Sequence, residues 1–187
     1  MRDILNAGVR LLLITLVAAI ALAAVNIITR GPIESRRLAE SESSRSKVMP
    51  DADEFELIDS SVWANGGAYG DMAEVYRATS GGETIGYTFL LNPQGYKAEI
   101  PVTIGILTDG SIVCAAIGDI QETSGLGMKI KDEPFLSQFV MLPSARVSQD
   151  VNTISGATIS SRAVKTAVSD AILLFEQLNA IGEAATE

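Results

Sequence analysis

Residues 96–117 read YKAEIPVTIGILTDGSIVCAAI, and this stretch decides the fold class. Ile100, Val102, Ile104 and Ile106 alternate with other residues, which puts four aliphatic side chains on one face of a strand. The Asp109-Gly110 pair is a strong hairpin signal, and residues 112–117 return as the partner strand. Pro101 cannot donate to a ladder, so it predicts an edge or a bulge early in the first of the two strands.

Working outward, residues 84–91 form a third β run. Residues 73–78 form a short strand or a helical turn between the glycine pairs Gly66-Gly67 and Gly81-Gly82. Phe55, Leu57, Ile58, Val62 and Trp63 are candidates to pack on the domain. Downstream, residues 121–127 are a polar, glycine-rich loop. Residues 134–140 predict a short amphipathic helix with Phe135, Leu136 and Phe139 inward. Residues 161–181 predict the longest helix of the globular part: Val164, Ala167, Val168, Ala171, Ile172, Phe175 and Leu178 share one stripe. Ser160 or Ser161 is expected to cap its start and Gly182 to end it. The pattern is α+β.

The N-terminal end is different. Residues 11–29 carry no charge, and 19 residues of helix span roughly 28 Å, close to the hydrocarbon thickness of a bilayer. Arg30, Gly31 and Pro32 are expected to end that helix. Two readings fit: a single-pass anchor, or a secretory signal with Ala21-Leu22-Ala23 as its cleavage site. The apolar run continues through Val25, Ile27 and Ile28, which favours the anchor. Basic residues flank both sides, so the positive-inside rule comes close to a tie. The expected organisation is a transmembrane anchor over 1–30, a polar helical neck over 31–50 ended by Pro50, and a domain over 51–187.

Composition narrows the chemistry. The 187 residues include no histidine and one cysteine, Cys114. Imidazole acid/base chemistry, an intramolecular disulfide and a Cys/His zinc site are excluded. The formal charge is −9 overall, but it is uneven. Residues 1–50 hold seven basic and four acidic side chains; residues 51–187 hold seven basic and nineteen acidic ones. An acidic domain repels nucleic-acid phosphates, and the basic excess lies beside the apolar run.

Just before the predicted long helix, residues 152–161 read NTISGATISS, with five hydroxyl side chains from Thr153 to Ser161. Small residues and a following helix N-terminus suit a phosphate. An ordinary serine-rich helix cap accounts for the same residues. A serine or threonine nucleophile activated by Lys165 is a further reading, although Lys165 stands one helical turn past Ser161 as an ordinary surface pair.

The motif Ser155-Gly156-Ala157-Thr158, followed by Ile159-Ser160-Ser161 and Ala163-Val164, resembles the covalent flavinylation motif of the FMN-binding domain. That domain occurs in the G subunit of Rnf complexes (ferredoxin:NAD oxidoreductases) and in the C subunit of sodium-pumping NADH:quinone reductases. Glu122-Thr123-Ser124-Gly125-Leu126-Gly127 is similar to the family's E-T-P-G-L-G loop beside the flavin. Asp109-Gly110-Ser111-Ile112 and the FLSQF of residues 135–139 match two further family segments, so the resemblance covers nearly the whole chain.

The resemblance implies a mixed α/β FMN-binding domain behind a single transmembrane helix. It implies FMN joined by a flavin transferase through a phosphoester to Thr158, with Ser155, Gly156 and Ala157 completing the motif. Glu122, Thr123, Gly125, Leu126, Gly127 and Ser161 are the remaining cofactor-site residues it suggests, with Glu122 alternatively a loop anchor. It further implies electron transfer coupled to sodium or proton translocation, other membrane subunits as partners, and a domain on the extracytoplasmic side of the cell membrane. The chain's length favours the Rnf G subunit over the quinone-reductase C subunit. A flavin-free anchored assembly module is the alternative from another class. Asn152 where the family often has Asp, and Lys97-Ala98 in place of two glycines, motivate it; Ser124 in place of proline is a further departure from the family pattern.

Overall fold

A computed structural model describes residues 2–64 and 70–184. Gly66 and Gly67 lie outside the described residues. The chain divides into two compact units, Met1–Ser41 and Glu42–Glu187.

The first unit is helical, and helix α1 is assigned over Arg2–Val48. Arg30, Gly31 and Pro32 do not end it, contrary to the expectation from sequence. A proline removes only its own bond to the carbonyl four residues back, and helix-forming residues resume the ladder beyond it. The described apolar side chains of this unit, including Leu11, Ile14, Leu22 and Ile28, are exposed. Thr15 and Thr29 turn their hydroxyls back onto carbonyls of the preceding turn, at Leu11 and Leu12 and at Val25 and Asn26. That arrangement leaves little unsatisfied polarity in a helix long and apolar enough to cross a membrane.

The second unit is built on a six-stranded antiparallel meander in the order β1 to β6. The strands are β1 Glu54–Leu57, β2 Met72–Ser80, β3 Glu83–Leu91, β4 Val102–Leu107, β5 Ser111–Ile117 and β6 Leu142–Pro143. Residues 72–80 are thus a strand rather than a helical turn, and the Gly81-Gly82 turn joins β2 to β3 with both glycines at positive φ. The Asp109-Gly110 hairpin forms as expected. Gly110 has φ of 85°, and the Asp109 carboxylate accepts the Ser111 N–H at 2.8 Å.

Strand β4 is central, which corrects the edge expected from Pro101. Pro101 lies one residue before the strand, where it has no ladder bond to break, and its carbonyl accepts the Gly118 N–H. The irregularity on this hairpin falls instead between Gly105 and Ile106. Residues 96–100 are not strand: Gly95 N–H closes a turn onto the Ala98 carbonyl at 2.9 Å.

Alternation along β3 and β4 sends side chains to two covered faces. Phe89, Leu91, Val102, Ile104 and Ile106 belong to the main core with Val164, Val168, Ala171 and Phe175 of helix α5, Thr158–Ala184. Tyr87 meets Phe175 edge-on at 6.1 Å. On the opposite face, Gly86 and Gly105 leave room for the end of α1. A Cβ on Gly105 would stand 2.2 Å from the Val48 carbonyl oxygen, and one on Gly86 would stand 2.8 Å from Met49 Cε. Val48 and Met49 are accordingly buried. Arg45 lies over the Tyr76 ring at 4.0 Å and faces Glu74 at 3.8 Å.

The remaining helices are short: α2 Ser60–Trp63, α3 Glu133–Leu136 and α4 Val147–Asp150. The segment expected as one helix over 134–140 is α3 followed by a 3-10 turn, Ser137–Phe139. It buries Phe135 and Phe139, ring to edge at 5.5 Å, with Leu136 half-buried. Trp63 is buried, whereas Leu57 and Val62 are exposed. Helix α5 starts three residues before the expected position and runs past Gly182 to Ala184. One glycine costs a long helix only about 1 kcal/mol and need not stop it.

Candidate functional site

Three segments converge at the N-terminus of α5. The first is the motif loop over 151–157, held at three points. The Gln138 amide brackets Asn152, accepting its N–H at 2.7 Å and donating to its carbonyl at 3.4 Å. Lys165 Nζ donates to the Val151 carbonyl at 2.6 Å. The Ser161 hydroxyl accepts the Ile154 N–H at 3.1 Å and donates back to the Ala157 carbonyl. The loop therefore presents a fixed backbone, turned at Gly156 with φ of 79°.

These bonds give each hydroxyl a place. Ser161 is fully buried, and its hydroxyl is spent on the loop's own backbone. It is neither the helix cap expected nor a group facing a ligand. Ser160 is not a cap either: it lies inside the first turn and donates to Glu122 Oε2 at 2.9 Å. The residue before the helix is Ala157, which offers no capping oxygen. The backbone N–H groups of Thr158, Ile159 and Ser160 thus open the helix without intrahelical acceptors. Thr158 is exposed.

The second segment is the loop over 121–127. Leu126 and Met128 both donate their N–H groups to the Thr123 carbonyl at 3.2 Å, with Gly125 at φ of 75°. The 3-10 turn Gly127–Lys131 follows. Leu126 reaches the motif loop: a Cβ on Gly156 would lie 3.1 Å from Leu126 Cδ2.

The third segment is the turn over 95–98, and Glu122 ties it to the other two. Oε1 of Glu122 accepts the N–H groups of Lys97 at 2.9 Å and Ala98 at 3.4 Å, while Oε2 takes the Ser160 hydroxyl. Burial by itself pushes this carboxyl up, but the donors outweigh it and hold it below the usual glutamate range. Glycines stand on both sides of the carboxylate because nothing larger fits. A Cβ on Gly95 would fall 2.5 Å from Oε1, and one on Gly127 would fall 2.6 Å from Oε2.

Between these segments lies a cleft of about 520 Å³. Of the residues singled out from sequence, Glu122, Thr123, Leu126, Gly127, Gly156, Ala157 and Thr158 line it. Ser155 and Gly125 are exposed in the flanking turns, and Ser161 faces the protein interior; none of the three lines the cleft. Tyr96, Ile159 and Ser160 complete the wall, and the sequence does not point to them as site residues. Tyr96 is signalled only by lying beside Lys97-Ala98, where the family has glycines. Asp150, two residues before Asn152, pairs with Arg146 at 2.6 Å.

Residues 95–173, which contain all three segments, match the family model of the FMN-binding domain. The G subunit of the Na(+)-translocating ferredoxin:NAD(+) oxidoreductase complex of Acetobacterium woodii is 32% identical, across 92% of this chain and 91% of that protein. The G subunit of the ion-translocating oxidoreductase complex of Cereibacter sphaeroides is 34% identical, across 92% and 84%. The chain belongs to this G-subunit family. Among solved structures, a crystal structure of Shewanella oneidensis NqrC aligns with 58% of the chain and 61% of its own, at 20% identity and a TM-score of 0.49.

The site of this G-subunit family member fits an FMN. Its volume falls in the range of small-molecule clefts, roughly 300–1,000 Å³. The open first turn of α5 offers N–H donors for a phosphate. The turn over 123–128 uses the amides of Leu126 and Met128, and Gly127 between them lines the cleft. Among the described residues no cluster of three metal-ligating side chains exists. Lys165, the base in the alternative nucleophile reading, donates to the Val151 carbonyl.

Proposed function

We propose that the chain is a membrane-anchored flavoprotein subunit that carries electrons through FMN bound covalently to Thr158. It works within an Rnf-type ferredoxin:NAD oxidoreductase complex that couples electron transfer to sodium or proton translocation. The observation that carries the reading is the exposed Thr158 hydroxyl, standing at the first position of a 27-residue helix on the wall of a cleft of flavin size.

FMN, when bound, supplies the reversible electron storage that no side chain of this protein offers. The chain's own part is attachment and orientation. Thr158 Oγ1 would form the bond to phosphorus and give up its hydroxyl proton, while the bond from that phosphorus to the leaving oxygen of the transferase's flavin-phosphate donor breaks and the leaving group departs with a proton, so the protein would gain FMN less one water. The free amides of the first turn of α5 hold the phosphoryl oxygens. Leu126, Ile159 and Tyr96 would give apolar and aromatic surface to the ring system, and the amide of Gly127 would meet its polar edge. Glu122 keeps the three walls in register without donating a proton.

The exposed apolar helix of the first unit serves as the anchor over 1–30, followed by the neck over 31–50. On this reading the domain faces the extracytoplasmic side, a flavin transferase matures it, and the other membrane subunits of the complex are its partners. The intact mass of the full chain co-expressed with a flavin transferase tests the central claim. The expected gain is FMN less one water, absent in Thr158→Ala. A wild-type chain of unmodified mass in that setting overturns the proposal.

A further inference from the structure

A second groove, of about 310 Å³, adjoins the cleft, and Ile159 lines both. Among its described lining residues the one cation is Arg162, beside Thr166, Gln94 and Asp71. Arg162 stands four residues past Thr158 on α5, so the two share a helix face about 5–6 Å apart at Cβ. Helical side chains lean toward the N-terminus, so the length of the Arg162 side chain suffices to reach the first turn.

Four of the seven cations of residues 51–187 have partners for their side chains among the described residues, and Arg162 is the one arginine there without one. Arg77 pairs with Glu56, Arg146 with Asp150, Lys131 with the Gly118 carbonyl and Lys165 with the Val151 carbonyl. Arg162 has no ion pair or hydrogen bond among the described residues, and Asp71 across the groove does not engage it. Arg162 stands at the fifth position of α5, unpaired in a region with nineteen acidic and seven basic residues. A phosphodiester on Thr158, one helical turn back, would give it an anionic partner.

We infer that Arg162 is the counter-charge of the phosphodiester on Thr158, donating to its non-bridging oxygens from the groove side. This rests on the assignment of the attachment to Thr158. A planar guanidinium suits two phosphoryl oxygens at once, which an ammonium does not. Arg162 is a positioning residue: it fixes the linkage and does not touch the redox-active ring.

The test uses the full chain in detergent, loaded by its flavin transferase, as wild type, Arg162→Gln and Arg162→Lys. Two readouts are the phosphorus-31 resonance of the linkage and the rate at which a phosphodiesterase releases flavin. Arg162→Gln is expected to shift the resonance and speed release about five- to tenfold, with Arg162→Lys intermediate. Should Arg162→Gln load too slowly for a spectrum, Arg162→Lys, which keeps the charge and loses the fork, carries the comparison. An unchanged resonance and release rate overturns the role of Arg162 alone. A wild-type chain with no flavin adduct overturns the Thr158 assignment and this inference with it, so the two failures are distinct.

Discussion

Ser160 Oγ donates a 2.9 Å hydrogen bond to Glu122 Oε2, joining residues 38 apart in sequence across the wall of the cleft. The other oxygen of the same carboxylate accepts the Lys97 and Ala98 amides. One buried side chain thereby sets the spacing of three loops that must enclose a planar ligand. Glu122→Ala leaves two amides and a hydroxyl without an acceptor and is expected to cost about 3 kcal/mol. Ser160→Ala removes one donor to a charged group and is expected to cost about 1.5 kcal/mol. Urea denaturation of the detergent-solubilised chain measures both. Equal losses in the two variants would show that the backbone donors contribute nothing.

The same carboxylate gives the cleft an acid limit. Burial raises the Glu122 pKa, the donors from Lys97, Ser160, Ala98 and Tyr96 lower it, and the net shift is downward from 4.5. A depressed folded pKa contributes stability that is complete above the unfolded value and is lost as pH falls through the folded one. The stability difference between wild type and Glu122→Gln should therefore be constant from neutral pH to about pH 5 and shrink below about pH 4. Asp170 runs the other way: burial and the Asp71 charge raise its pKa. Both proteins share Asp170, so the difference curve isolates Glu122. A difference that grows on acidification would mean the carboxyl is held neutral in the fold.

The strands and the long helix are legible because their apolar periods, two and 3.6, survive in the sequence. The start of α5 is not. Hydroxyl residues suggest caps, and only the folded loops reveal that Ser160 is taken by Glu122 and Ser161 by the backbone of Ile154 and Ala157. Tyr96 reads as strand because nothing local announces that Glu122, 26 residues later, captures the amides on its C-terminal side. The Thr158 neighbourhood is legible through its motif, whereas the groove around Arg162 depends on how Pro93 and Asp71 come to face α5. Burial of Val48 and Met49 is equally hidden, since the space they fill is made by two distant glycines.

Cys114 offers a check on the face of the sheet opposite α5. Its thiol lies 3.6 Å from the Lys47 carbonyl oxygen, and burial pushes its pKa up. The thiolate fraction at neutral pH is therefore below that of a free cysteine, and the group is shielded as well. Reaction with a disulfide reagent at pH 8 should run at least about tenfold slower in the native protein than in denaturant. Equal rates would mean that the end of α1 does not cover this face in solution.

Gly105 tests that packing from the other side. The sheet reaches the Val48 carbonyl only because position 105 has no side chain, and a Cβ there would sit 2.2 Å from that oxygen. The obstructing atom is backbone, so a rotamer change cannot relieve the clash. Gly105→Ala must displace the buried Val48 and Met49 or bend β4, and overpacking of this kind costs about 1–3 kcal/mol. Displacement also opens the cover over Cys114, because Lys47 precedes Val48. The variant is expected to lower the thermal midpoint and to speed the thiol reaction together. A lower midpoint with an unchanged thiol rate would place the strain in β4 and leave the end of α1 seated on the sheet.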